Sequence, residues 1–157
     1  MRLKNYTDIP SDFIRAVIRA TCPSNVKNFD VQVGNYGGRR GRGVAYYNGS
    51  SYHSRACPFI RVFVAKTDAW ARSSGKLRTG AYLQYAVGSR REVLVSIMAH
   101  ELRHLWQSKV KKGWRVWGAR GQFSERDADA YALKMLRKYR RGELVKNTTQ
   151  PNVWNEV

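Results

Sequence analysis

Apolar positions recur with helical spacing in three parts of the chain. The first group predicts a helix over residues 10–21. Residues 90–109 are apolar on nearly every side in their first half, which predicts a helix buried inside the protein. A third helix is predicted to begin at Ser124 as its N-cap residue and to end near Arg141 in a run of cations.

The segments between these helices alternate apolar and polar residues, or are rich in β-branched and aromatic ones. Four strands are predicted on this basis, at residues 28–33, 44–47, 59–64 and 80–87, with loops at 34–43 and 68–79. The order of elements indicates an α+β fold: an N-terminal helix, a small, mostly antiparallel twisted sheet, and then two helices. We expect residues 1–157 to form a single domain.

The buried helix contains the run His100-Glu101-Leu102-Arg103-His104. Two residues four apart lie on one face of a helix, about 6 Å apart along its axis, so both imidazoles can bind one metal ion. A carboxylate one residue after the first histidine can accept a proton from water at the open metal position. The pattern therefore predicts a metal site capable of hydrolysis.

A catalytic zinc ion usually has three protein ligands, so a third must come from another element. Glu125 follows His104 by 21 residues, which leaves room for a loop and a returning helix. Asp129 shares a helix face with Glu125 and can accept the second ring N–H of a liganding histidine. Both lie on the predicted third helix.

These residues together resemble the gluzincin metallopeptidases, the thermolysin-like branch of the zincins, over about residues 90–140. Small gluzincin-like domains, including SprT-like proteins and minimal bacterial or phage metallopeptidases, have the same helix-then-sheet order. The resemblance implies a zincin-like fold and a zinc-dependent endopeptidase acting on a protein or peptide. His100, His104 and Glu125 would bind one zinc ion per chain, Glu101 would be the general base and acid, and Asp129 would orient a ligand.

Members of that family often stabilise the oxyanion with a Tyr, His or Arg beyond the zinc helices. Four candidates are present, and the sequence does not choose among them: Arg115, Arg120, Tyr131 and His53. The predicted strand at 80–87 would pair with an extended substrate if it forms the sheet edge over the cleft.

The charge balance adds a possible second partner. The chain has 29 Lys and Arg against 11 Asp and Glu, a net charge of +18, and such an excess favours polyanions such as nucleic acid. The glycine-rich segment 34–43 contains Arg39, Arg40 and Arg42 and resembles RNA-binding segments, although we favour a simple connection between strands. The alternative function is a nucleic-acid-binding protein on a zincin-like scaffold, with a structural or inactive zinc site. The Cys-rich module that several SprT-like proteins carry is not found here.

The remaining features predict a cytoplasmic monomer. No apolar run reaches the roughly 18 residues that cross a bilayer, and the N-terminus leads into no signal segment, so no membrane partner is expected. Cys22 and Cys57 are expected to be free thiols. His53 and Cys57 could form half of a second metal site, but we favour a structural or incidental role for them.

Overall fold

A computed structural model describes residues 1–36, 42–46, 58–73, 76–79, 83–109 and 122–145. Its strands are β1 (Leu3–Asn5), β2 (Asp30–Tyr36), β3 (Arg42–Tyr46), β4 (Phe59–Ala65), β5 (Lys76–Thr79) and β6 (Leu83–Ala86). Its helices are α1 (Ser11–Thr21), α2 (Asp68–Ser73), α3 (Arg90–Lys109) and α4 (Gln122–Arg140). The fold is α+β, as predicted.

The main sheet has four strands in the order β1-β2-β4-β3. β1 pairs parallel with β2 and β2 parallel with β4, while β3 pairs antiparallel with β4. The prediction of a mostly antiparallel sheet is therefore wrong for these four strands, which form a mixed, mostly parallel sheet. The reason is that β3 does not pair with β2, its neighbour in the chain, because β4 lies between them. β5 and β6 form a separate antiparallel pair.

β4 has the composition of a central strand, because its residues are apolar with the exception of Arg61. Its register with β2 places Val31 opposite Ile60 and Val33 opposite Val62. All four side chains are buried in the hydrophobic core, which α1 and α3 complete. The sheet thus provides an apolar surface against which α3 packs.

The predicted helices at 10–21 and 90–109 are confirmed as α1 and α3, and the predicted strands are confirmed in the parts that the structure describes. Three elements were missed, and β2 and β3 extend into the segment 34–43 that was predicted to be a loop. β1 is only three residues long, and α2 and β5 occupy the segment that was predicted to be a loop. Elements this short have too few residues for a periodic pattern to develop.

α3 is the central element of the fold, since thirteen of its twenty residues are buried. It packs against α4, the sheet and α1, which accounts for its apolar character on several sides. Met98, Leu102 and Leu105 are fully buried, as expected of core residues. Among the described residues, no helix combines the length and apolar character needed to span a membrane.

Arg90 fixes the start of α3 against the sheet. Its Nε donates to the carbonyl of Ala65 at the end of β4, its guanidinium pairs with Asp8 at 2.6 Å, and it also donates to Asn35 of β2. The backbone N–H of Arg90 donates to Asp68 of α2. These bonds join three elements to one helix terminus and set where the rest of α3 lies.

Glu92 connects the start of α3 to the end of α4. Its carboxylate accepts hydrogen bonds from the backbone N–H of Gly88 and from Arg140. Burial alone would raise the pKa of Glu92, but the bonds from Arg140 and Gly88 outweigh it and hold the pKa below its usual value. The folded protein therefore favours the charged form of this side chain.

We predict that Glu92→Gln lowers the free energy of unfolding by about 1–2 kcal/mol at neutral pH, because it removes charge-assisted hydrogen bonds. A carboxylate whose pKa is lowered by folding stabilises the protein above its unfolded pKa and loses that effect as the pH falls through the folded pKa. The difference in free energy of unfolding between wild type and variant should therefore be constant from about pH 6 to 8 and shrink below about pH 4.5. Urea unfolding across this pH range measures it.

Glu143→Gln is the matched control, because Glu143 pairs with Arg141 on the open surface. Exposed pairs contribute little to stability, so this variant should unfold like wild type. Equal loss of stability in both variants would contradict the role assigned to Glu92.

Candidate metal centre

His100, His104 and Glu125 come together between α3 and α4 and form a group that could hold one metal ion. The two Nε2 atoms of the histidines are 2.9 Å apart. Glu125 places one carboxylate oxygen 3.3 Å from Nε2 of His100 and the other 3.3 Å from Nε2 of His104. Both histidines are buried, and the carboxylate is half-buried, so the group is open to solvent mainly on the side of Glu125.

The spacing of these atoms fits a zinc ion. Zinc binds nitrogen and carboxylate oxygen at about 2.0–2.2 Å in tetrahedral geometry, which places neighbouring ligand atoms about 3.3–3.6 Å apart. The two distances to Glu125 meet this spacing, and the two histidine nitrogens need to separate by only a few tenths of an ångström. Three ligands also leave a fourth position free.

The charges around His100 favour a cation at this place. Nδ1 of His100 lies 3.0 Å from Oδ1 of Asp129, and Asp129 is fully buried. The two atoms are close, but they are not aligned well enough to form a hydrogen bond. Burial alone would lower the pKa of His100, but Asp129 and Glu125 outweigh it and raise the pKa to about 10. Interactions with both histidines hold the pKa of Glu125 far below its usual range. The carboxylates therefore attract positive charge into the group.

The second histidine is held by a glutamine. Nδ1 of His104 lies 2.8 Å from Oε1 of Gln107, one turn further along α3. The amide nitrogen of Gln107 donates to the carbonyl of Ser124 and to Asp127, both on α4. An amide whose nitrogen is used in this way presents its oxygen to His104, which places the ring proton on Nδ1 and leaves Nε2 free to bind a metal.

Arg103 and Asp127 support this arrangement from the side. The guanidinium donates to both carboxylate oxygens of Asp127, at 2.6 and 2.9 Å, and stacks over the ring of Trp106. Arg103 is only partly exposed, because the return of α4 places an acidic partner directly beside it.

Glu101 lies on the other side of the group, under the edge strand β3. Its side chain is buried and its carboxylate accepts a hydrogen bond from the backbone N–H of Ala45. Burial raises the pKa of Glu101, although the two histidines oppose the shift. Gly43, two residues before Ala45, passes so close that a Cβ atom there would lie 2.5 Å from Ile97 and 2.7 Å from Cγ of Glu101. The close approach of β3 to α3 therefore depends on glycine at this position.

Several residues singled out from the sequence lie outside the described residues: Arg39, Arg40, His53, Cys57, Arg115 and Arg120. Arg42 belongs to β3, but its side chain is not among those described. Tyr131 is described, and its hydroxyl donates to the carbonyl of Thr21 in α1 at 2.7 Å. Its hydroxyl is thus bonded to α1, which does not support its candidacy as an oxyanion stabiliser.

Ser124 does not serve as the N-cap of α4, because the helix begins two residues earlier, at Gln122. Its hydroxyl donates instead to Oε1 of Gln107 at 3.0 Å. Gln107, Asp127 and the backbone of Ala45 are the contributors to the site that sequence reasoning missed. Only Gln107 had a local signal, because a residue three positions after a liganding histidine shares its helix face.

Comparison with protein-family models, with curated proteins and with solved structures finds no match to this chain. The functional interpretation therefore depends on the residues of the site and their geometry.

We predict that Gln107→Ala weakens zinc binding by about 10- to 100-fold, because His104 loses the partner that fixes its tautomer and orientation. Competition with a chromophoric chelator measures this affinity. Ser108→Ala is the matched control, since the Ser108 hydroxyl donates to the carbonyl of Leu105 in its own helix. The prediction is wrong if both variants bind zinc like wild type. Urea unfolding of the metal-free proteins separates lost affinity from lost folding.

We predict that Gly43→Ala destabilises the protein by about 1–3 kcal/mol, because the added methyl group overpacks the contact between β3 and α3. Gly88→Ala is the control, since a Cβ atom there would lie 3.6 Å from its nearest neighbour, an ordinary contact. Thermal unfolding followed by circular dichroism gives both values. Equal melting temperatures for the two variants would show that β3 does not pack on Glu101 as described.

Proposed function

We propose that this protein is a zinc-dependent endopeptidase of zincin-like architecture, with zinc bound by His100, His104 and Glu125. The observation that carries the proposal is the convergence of these three side chains, at 2.9–3.3 Å, next to a buried glutamate. A cluster of this kind is costly to bury in a core unless a cation or a network of partners compensates it. Zinc with a peptidase function explains both the ligands and Glu101.

The donor set favours zinc over the other common divalent ions. Calcium and magnesium take oxygen ligands almost exclusively, whereas two imidazoles and one carboxylate are a typical set for catalytic zinc. His100 is supported by Asp129 and His104 by Gln107, so each imidazole has a partner on its Nδ1 side. Such partners orient the ligands and increase their basicity.

Glu101 would carry the proton during hydrolysis. When bound, zinc supplies Lewis acidity and lowers the pKa of water. The N–H of Ala45 holds the Glu101 carboxylate in place, and the carboxylate takes a proton from the attacking water and delivers it to the leaving amine nitrogen. Burial raises the pKa of Glu101, which makes its carboxylate a stronger proton acceptor than an exposed glutamate.

We infer that the substrate binds as an extended peptide along β3. β3 is the edge strand of the main sheet on the side next to Glu101, and an edge strand can pair with an added strand. The sequence had suggested the segment 80–87 for this role. The described part of that segment, β6, pairs with β5 in a separate sheet and contacts α4, so it does not form the edge beside Glu101.

The alternative is a nucleic-acid-binding protein in which the metal is structural. This alternative also predicts zinc in the protein, but it gives no role to Glu101, which is buried beside the ligand group. The role of Glu101 therefore distinguishes the two functions.

We predict that Glu101→Gln lowers kcat/KM by about 10²–10⁴-fold and leaves one zinc ion per chain, because glutamine keeps the shape of the side chain but cannot accept the proton. Elemental analysis and cleavage of unfolded protein substrates, with and without DNA, measure the two quantities. Removal of zinc with a chelator should abolish cleavage, and added zinc should restore it.

Glu92→Gln is the matched control, since it makes the same substitution on the same helix away from the ligand group. It should cleave like wild type at 25 °C. If the proteins bind zinc but none of them cleaves the substrate, the alternative function is favoured. If none of them binds zinc, both functions are excluded.

A further inference from the structure

α4 has two faces of opposite character. Glu125 and Asp129 face α3, together with the buried residues of the helix. Lys134 follows Glu125 by nine residues, which is two and a half turns, so it points to the opposite side. The outward face contains four cations in its last two turns and the turn that follows: Lys134, Arg137, Lys138 and Arg141.

This outward face is a shallow groove with a cavity volume of about 370 Å³. The residues that line it are the four cations together with Ala130 and Leu133. Ala130 and the half-buried Leu133 are the apolar residues of this lining, and the other four residues are positively charged. None of these lining residues is acidic.

The cations of the groove differ from those that hold the fold together. Arg90 pairs with Asp8, Arg103 with Asp127, and Arg140 with Glu92. Among the described residues, Lys134, Arg137 and Lys138 form no ion pair and no side-chain hydrogen bond.

Glu143 is an acidic residue beside the groove. It pairs with Arg141, and the charge of Lys138 helps to lower its pKa. One carboxylate therefore stands against four cations, and the groove keeps a net positive charge.

We propose that the outward face of α4 is a docking surface for the phosphate backbone of nucleic acid, bound without regard to base sequence. A row of unpaired cations on an exposed face is complementary to a line of phosphates. The net charge of +18 draws polyanions towards the molecule, and this face gives them a defined place to bind.

The length of the groove agrees with a nucleic-acid strand. Lys134 and Arg141 are seven residues apart, about 10.5 Å along the helix. Phosphates of one DNA strand advance about 3.4 Å each along the duplex axis, so this distance covers about three phosphates.

Glutamine at these positions would keep the helix, because its helix propensity is close to that of lysine and arginine.

The surface is independent of the metal group, since the two lie on opposite faces of α4. The inference therefore stands whether or not the group hydrolyses peptides. If both are right, nucleic acid binds while the ligand group remains accessible on the other side of the helix.

The test compares two triple variants that each remove three positive charges. One is Lys134→Gln/Arg137→Gln/Lys138→Gln, in the groove. The control is Arg19→Gln/Lys27→Gln/Lys66→Gln, three exposed cations outside α4. Binding to a fluorescein-labelled 20-base-pair DNA duplex is followed by fluorescence anisotropy at several salt concentrations, and circular dichroism verifies the fold.

We expect the groove variant to bind at least tenfold more weakly and its slope of log affinity against log salt to be smaller by about 2.7, since each lost phosphate contact removes about 0.9. The control should change the slope little. Equal losses in the two variants would overturn the proposal in favour of general charge attraction, and an unchanged groove variant would overturn it outright. If the groove variant lost binding to phosphatidylserine vesicles but kept its binding to DNA, this face would be a membrane-binding surface, and the proposal would also be overturned.

Discussion

The packing of α3 against α4 encloses ionisable side chains that could not be buried singly. His100, His104 and Asp129 are almost completely buried, and Glu125 closes the group from the solvent side. These side chains compensate one another's charge, so removing one would leave a buried charge short of a partner. Polar contacts therefore contribute to the alignment of the two helices, and the bonds from Arg90 to the sheet hold the start of α3 in place.

β3 connects the sheet to this group. It is an edge strand, yet it contacts α3 as extensively as the central strand β4 does, because Gly43 allows its backbone to approach Glu101 closely. The N–H of Ala45 then reaches the carboxylate. A small change in the sheet edge would therefore move the glutamate, and the same edge is the surface along which we infer that an extended peptide binds.

Much of the site could be predicted because its spacing is local. Residues at i and i+4 lie on one face of a helix, so their side chains can be placed together once the helix is recognised. This spacing relates His100 to His104 and Glu125 to Asp129. The apolar run before His100 likewise predicts a buried helix, which the structure confirms as α3. The segment between His104 and Glu125 is long enough for α4 to return to α3, but its length alone does not require that return.

The sequence by itself determined which residues could bind a metal and which helices carry them, since both follow from periodicity within one segment. Only the tertiary structure decided the strand order, the place of β3 over Glu101, and the bonds from Gln107 to α4. Strand pairing depends on contacts between segments far apart in the chain, and many pairings satisfy the same apolar pattern. The partner of a buried polar group is decided in the same way, by whichever distant backbone or side chain the completed fold brings within hydrogen-bonding distance.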